Sequence, residues 1–403
     1  MSATDRLLTK ENLYWRDLAR KLAEEVVRPE AWIHDRKQEY PWHVTKRLAA
    51  EGLLKVWIPE EYGGAGGQTL LNLCLVVEEL SRACGGIGVG FAVNALGSFP
   101  ILVGGTEEQK QRWLPQIARG EKLISFGLSE KEAGSDAQNQ QARAVEKDGA
   151  WILNGLKKWN TGGGVADLTV VFLVSDPESK SRRISAFMVE KGMPGVRIAK
   201  LEDKMGIRAI PVAELELKDV KVPVENLLGG RPGMGFKIAM QTLDRARPGV
   251  ASQAVGLAQG AYEFALLYAT KRIQFGQPIA ANQMVQQILA DMATKIEAAR
   301  ALVHTAARAF DAGEENIGKL SAMAKVFATD VAMQVTTDAV QIFGGYGYMR
   351  DYPVEKYMRD AKITQIYEGT NQIQRLVIAR ALIKEAASFD HLSKYIPIPE
   401  ALR

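Results

Sequence analysis

The spacing of apolar residues changes twice along this chain, and that order of helix, strand and helix limits the fold more than any single motif. Residues 1 to about 122 carry apolar positions at helical spacing, clearest over 13–27 and 70–80. Gly-rich stretches at 61–67 and 84–90 read as breaks between helices. From about 123 to 235 the period shortens, and 123–128, 168–174, 184–189 and 214–217 are short runs of β-formers. Asp148-Gly149 between 141–146 and 151–153 predicts a hairpin. From about 236 to 385 the helical period returns, predicting helices over 236–270, 283–311, 319–343 and 370–384. Pro248 should kink or split the first, and Gly313 and Gly344 are stops for two others. Residues 386–403, with Pro397 and Pro399, read as an irregular tail. At 403 residues the chain exceeds one ordinary core. The expected class is α+β, mostly α: an N-terminal helical domain (1–122), a middle antiparallel β domain (123–235) and a C-terminal four-helix bundle with tail (236–403).

Composition removes several functions. A net charge of +4 without a dense Lys/Arg block is a weak footprint for nucleic acid. Two cysteines, Cys74 and Cys84, make no disulfide framework, and His34, His43, His304 and His391 are scattered, so no metal site is expected. No run reads as eighteen uncharged apolar residues, so no membrane span is expected. The first fifteen residues lack an apolar h-region and contain Asp5 and Glu11, which favours a cytoplasmic protein.

Four segments could carry chemistry. Residues 127–136 (GLSEKEAGSD) follow a strand and could form a polar cradle, although alone they read more readily as a capped turn. Trp159-Asn160-Thr161 before three glycines could hold a flat ring, or be a core Trp beside a turn. Phe343 to Tyr348 could bring amides to a diphosphate, or simply stop a helix. Glu368 lies between an apolar stretch and a helix start, with Gly369 and Thr370 able to turn and cap the chain. A carboxylate in an apolar setting can act as a base; a solvated Glu at a helix N-terminus is the ordinary alternative.

Together and in this order, these segments closely resemble the acyl-CoA dehydrogenase family, especially its short- and medium-chain members, over roughly residues 10–385. Pro59 to Gly64 looks like the family's N-domain loop, 127–136 fits its first signature, and Tyr367-Glu368-Gly369-Thr370 with 372–375 looks like its catalytic loop. The resemblance implies FAD as cofactor. It implies a flavin site of Phe126, Leu128, Ser129, Gly134, Ser135, Trp159, Thr161, Thr370 and Gln372. Arg272, Gln274, Phe275, Gln283, Gln341, Gly344 and Gly345 would grip FAD from a neighbouring subunit, usually within a dimer of dimers. Ser135, Asp244, Arg247 and Gly369 would meet the acyl-CoA substrate. Glu368 would take the α-proton and flavin N5 the β-hydrogen, giving a 2-enoyl-CoA. The alternative position for the base in some relatives matches Ala246, which cannot serve. The implied electron acceptor is an electron-transfer flavoprotein.

Lys131, Asn160, Gly162, Asn371 and the stretch 206–212 depart from the family pattern. Residues 83–98, matching the family's acyl pocket, carry no charge, which argues against a dicarboxylyl substrate. Gly85, Gly86, Gly88 and Gly90 suggest room at the pocket wall, hence a short to medium, branched or alicyclic acyl chain. An oxygen-reactive oxidase-like flavoenzyme and a non-catalytic FAD-binding module of the same fold remain the alternatives.

Overall fold

The computed structural model describes residues 3–314 and 317–396. Helix α1 (Lys10–Leu22) starts at a reciprocal capping box between Thr9 and Asn12. It runs through a π-helical turn, Ala23–Val27, into α2 (Arg28–Lys37). Then follow α3 (Trp42–Ala50), α4 (Thr69–Ala83), α5 (Gly85–Gly104) and α6 (Glu107–Ala118).

Helix α5 corrects two expectations. The Gly-rich stretch at 84–90 is no break: only Cys84, in extended backbone, separates α4 from α5. Its glycines allow close approach instead. A Cβ on Gly88 would stand 2.2 Å from Ser81 Oγ, and one on Gly85 2.7 Å from Leu257 Cδ2. α5 is also long and apolar enough to cross a membrane by length and composition, with 78% of that window buried inside the fold. Here it is a core helix, packed against α4.

The middle block forms a seven-stranded sheet in the order β1-β4-β2-β3-β7-β6, with β5 on the other side of β4. Its strands are β1 (Ile124–Gly127), β2 (Arg143–Lys147), β3 (Ala150–Thr161), β4 (Leu168–Val174), β5 (Ile184–Glu190), β6 (Val196–Leu201) and β7 (Val212–Pro223). Asp148 and Gly149 both have positive φ (51° and 71°) and join β2 to β3 in the expected hairpin. The sheet is mixed rather than wholly antiparallel. β1 runs parallel to β4, and β2 meets β4 in parallel at Arg143 and Val174, because the chain crosses over before returning to these neighbours. A separate core of Trp151, Leu153, Phe187, Leu215 and Val220 fills one face.

The four expected C-terminal helices are α7 (Gly235–Lys271), α8 (Gln283–Asp311), α9 (Gly318–Phe343) and a last one, Asn371–Glu385. A shorter helix, α10 (Val354–Thr364), precedes the last, which is α11. A small hairpin, β8 (Ile273–Gln274) with β9 (Gln277–Pro278), links α7 to α8. Pro248 does not split α7; the 37-residue helix is continuous and Pro248 is buried in it. α7 packs on α4, α5 and α9, joining the two helical blocks through one large core. Residues 386–395 form 3₁₀ turns rather than an irregular segment. Pro397 and Pro399 lie outside the described residues.

Candidate functional site

Between α10 and α11 the chain makes a short loop in which Glu368 (φ 52°) and Gly369 (φ 92°) are both left-handed. Such a conformation is strained for Glu and needs external support. Several neighbours provide it. Thr370 caps α11 through its Oγ1, which accepts from Ile373 N. Lys325 Nζ, buried on α9, donates to Gly369 O (2.8 Å) and Asn371 Oδ1 (2.9 Å). Gln374 Nε2 donates to the carbonyls of Glu368 and Gly369, each at 3.1 Å. Asn371, a departure from the family pattern, is a hub: its Nδ2 also donates to Thr329 and Asp330.

The Glu368 residue is only half-buried, but its Oε2 is enclosed and without a hydrogen-bond partner among the described residues. Burial raises its carboxyl to about 7, opposed by the positive charges of Lys325 and Arg247. Burial in turn lowers the Lys325 ammonium, with Glu368 pulling it back up. The neighbouring Tyr367 hydroxyl donates to Gln253 Oε1, and Gln253 Nε2 donates to Gly85 O (3.4 Å), tying this loop to the start of α5.

Tyr367 also belongs to an apolar wall with Val89, Ile207, Ile210, Ile363 and Tyr40. A Cβ on Gly162 would reach Val93 Cγ1 at 3.4 Å and Ile210 Cδ1 at 4.0 Å, which brings the end of β3 to the same wall. Asp360 anchors the 206–212 stretch: its Oδ1 accepts from Ile207 N (2.5 Å), while its Oδ2 accepts from Lys356 Nζ (2.5 Å). This stretch, which lacks the family's Ser/Thr residues, contributes Ile207 and Ile210 to the apolar wall. Gly85, Gly86 and Gly88 do not leave room, because Leu257, Ala209 and Ser81 already occupy it. Gly90 is looser, with Ile210 Cδ1 at 3.5 Å.

The 127–136 segment is held on β3 by a buried cation. Lys157 Nζ donates to Glu130 Oε1 (2.6 Å), Gln140 Oε1 (2.9 Å) and Leu128 O (3.2 Å). Glu130 also accepts from the amides of Gln141 and Ala142. Ser129 O accepts from Lys158 N (2.9 Å), so Phe126, Leu128 and Ser129 lie beside Trp159 and Thr161. Lys131 is exposed and pairs with Glu132. Trp159 has φ 57° and is 52% exposed, and nothing lies within 4 Å of a Cβ built on Gly134. Ser135 is exposed. Asn160 is fully buried with both amide atoms unpaired among the described residues.

Arg247 on α7 pairs with Asp244. Arg272 lies 25 residues further along the same helix, about 37 Å away at the helical rise. There Arg272 stacks over Tyr346, and Gln274, Phe275, Gln283, Gln341, Gly344 and Gly345 are exposed around it. Phe275 is 97% exposed. The expected site residues thus fall into two groups, one around Glu368 and the β1–β3 edge, the other an open surface beyond its reach.

Three family models cover the chain in order: acyl-CoA dehydrogenase N-terminal domain (9–121), middle domain (125–220) and C-terminal domain (233–383). The chain belongs to the acyl-CoA dehydrogenase family. It is 46% identical over 377 residues to a probable acyl-CoA dehydrogenase, fadE25, of Mycobacterium tuberculosis, covering 94% of this chain and 96% of that protein. It superposes on butyryl-CoA dehydrogenase from Megasphaera elsdenii with a TM-score of 0.91 and 44% identity, covering 93% and 99% of the two chains. A chain described under "Electron transferring flavoprotein of Acidaminococcus fermentans" matches at TM-score 0.91 and 50% identity, covering 93% and 98%. This acyl-CoA dehydrogenase is accordingly an FAD-dependent oxidoreductase. Reading the sequence missed Lys325, Gln253, Gln374 and the Lys157–Glu130 pair. Lys325 had a signal: it stands on the apolar stripe of α9, four residues from both Ser321 and Thr329, where a lysine is out of place.

Proposed function

We propose that this acyl-CoA dehydrogenase oxidises a short-chain acyl-CoA to its 2-enoyl-CoA, with Glu368 removing the α-proton. One observation carries the reading: Glu368 Oε2 is enclosed and without a hydrogen-bond partner among the described residues, on a left-handed loop beside an apolar wall. Among the described residues the carboxylate is neither neutralised by a direct ion pair nor used as a cap. Burial brings it to about 7, where a base can take up a proton near neutral pH. Ala246, the alternative position, has no ionisable group. The Glu368 amide has no partner among the described residues and suits a thioester carbonyl, where it would steady charge developing on oxygen. Lys325 and Gln374 hold the loop that carries both groups.

The residues present fit FAD. Trp159 offers a half-exposed ring on a strand edge, Gly134 leaves space beside a polar segment, and the far surface exposes Phe275 without a partner in its own chain. Phe126, Leu128, Ser129, Gly134, Ser135, Trp159, Thr161, Thr370 and Gln372 would hold the cofactor from one chain. Arg272, Gln274, Phe275, Gln283, Gln341, Gly344 and Gly345 would hold that of a second copy, in a dimer of dimers. When bound, the flavin supplies the acceptor for the β-hydrogen and its electron pair. Ser135, Asp244, Arg247 and Gly369 would meet the substrate.

The filled space at Gly85, Gly86 and Gly88 favours a short chain over a branched or alicyclic one. The uncharged 83–98 segment disfavours a distal carboxylate, and the neighbouring Arg82 is committed to Glu24, Glu79 and Glu263. We propose an electron-transfer flavoprotein as acceptor, in line with the setting of the 50% identical chain. The test is anaerobic mixing of FAD-loaded protein with straight, branched, alicyclic and glutaryl thioesters while flavin absorbance is followed. Butyryl-length substrates should bleach the flavin and Glu368→Gln should not respond. Bleaching led by glutaryl-CoA, or undiminished in the variant, overturns the reading. Oxygen uptake with substrate would point to an oxidase instead.

A further inference from the structure

The histidines are less scattered in space than along the chain. Glu30 and His34 stand one turn apart on α2. The chain then reverses through Gln38, which is left-handed at φ 56°, and Pro41, and brings His43 at the start of α3 back to meet them. The ligand atoms of the three all lie within 4.8 Å of one another. Glu30 Oε2 is 3.3 Å from His34 Nε2, and Glu30 Oε1 is 3.5 Å from His43 Nε2. The two contacts use different oxygens of Glu30; with one ligand atom from each residue the set lies within 4.8 Å, a spacing that small side-chain adjustments bring to the roughly 3.3–3.4 Å edges of a tetrahedral zinc site.

The orientation of the His34 ring suits a ligand. His34 Nδ1 lies 2.8 Å from Glu39 O, an acceptor only, so that nitrogen carries a proton. Its Nε2 faces the Glu30 carboxylate. Either a proton on Nε2 or a metal ion between the two atoms would hold that pair together. A backbone carbonyl that orients one ring nitrogen while the other faces the ligand set is the usual outer partner of a metal-binding histidine. His34 is buried and Glu30 partly so, whereas the His43 side chain is 59% exposed and leaves one side open to water.

We propose that Glu30, His34 and His43 form a site for a divalent cation of the zinc type, with solvent as fourth ligand. The cation ties α2 to α3 across the turn that carries Tyr40. Tyr40 packs in the wall with Val89, Ile207, Ile210 and Tyr367, so the cation braces one side of that wall from outside.

The experiment uses the FAD-loaded protein, stripped of metal with chelator and titrated with Co²⁺ and Zn²⁺. One Co²⁺ per chain should bind with visible bands of a low-coordinate N/O site, be displaced by Zn²⁺, and raise the melting temperature. His43→Gln removes an exposed ligand without disturbing the core and should abolish the bands and the thermal shift. His391→Gln should keep both, and flavin absorbance should be unchanged in each protein. No stoichiometric binding at neutral pH would overturn the proposal and leave the cluster as histidine–carboxylate ion pairs only. Binding that survives in both His43→Gln and His34→Gln would overturn it equally, by locating the cation elsewhere.

Discussion

Glu368 is pulled in opposite directions. Enclosure favours its neutral form, and the charges on Lys325 and Arg247 favour the carboxylate. A base works only when deprotonated, so the rate of flavin reduction should rise with pH through about 7. Lys325→Met removes one of the charges that lower this value, and the acidic limb should move up by about one pH unit, the low end for a neighbouring opposite charge. Stopped-flow rates across pH read this directly; a limb that stays in place or shifts downward would rule out Lys325 as a tuning group. Glu368 could be proposed as a base from its motif, yet its setting could not be read there. Lys325, Gln253 and Gln374 are 43, 115 and 6 residues away from it in sequence, and only the packing of α7, α9 and α11 brings them together. Asn371 looked like a mere departure and is instead what ties Lys325, Thr329 and Asp330 to the loop.

Helix α5 illustrates where local propensity loses to packing. Glycine is a poor helix former, by about 1 kcal/mol relative to alanine, and four glycines within six residues read naturally as a break. Closeness to α4 and α7 overrides this. Gly88→Ala would put a methyl 3.0 Å from Ser81 Cα and closer still to its Oγ, and should destabilise the protein by about 1–3 kcal/mol despite the better helix propensity. Urea unfolding monitored by circular dichroism measures this. An unchanged midpoint would show that Ser81 gives way. The β2–β3 hairpin was legible because two residues at positive φ specify it locally. The parallel pairing of β1 with β4 was not, since it joins residues 44 apart. Strand β6 escaped notice because it is almost wholly exposed and shows no alternation.

Over the whole molecule, the order of helical, β and helical blocks was plain from periodicity, and the three family models follow the same order. The second group of expected site residues forms the exposed surface on which we propose that a second copy docks. Phe275 projects almost entirely into solvent from the β8–β9 hairpin at the end of α7. Phe275→Ser should weaken both self-association and FAD retention by about tenfold or more, as expected of an aromatic anchor. Sedimentation velocity and FAD content after desalting test this together. Loss of neither would remove Phe275 from the interface.

The backbone of Glu368 has a further consequence, for heat tolerance. Its left-handed conformation and its solitary carboxylate both burden the folded state, and Glu368→Gly relieves both at once. The inactive variant should therefore outlast the active enzyme on heating, by about 1–2 kcal/mol for the backbone alone. Calorimetry of the two proteins decides it; a lower melting point in the variant would mean that the glutamate side chain itself helps hold the loop. If the gain is real, any screen that rewards thermal survival without monitoring turnover will drift towards dead enzyme at this one codon.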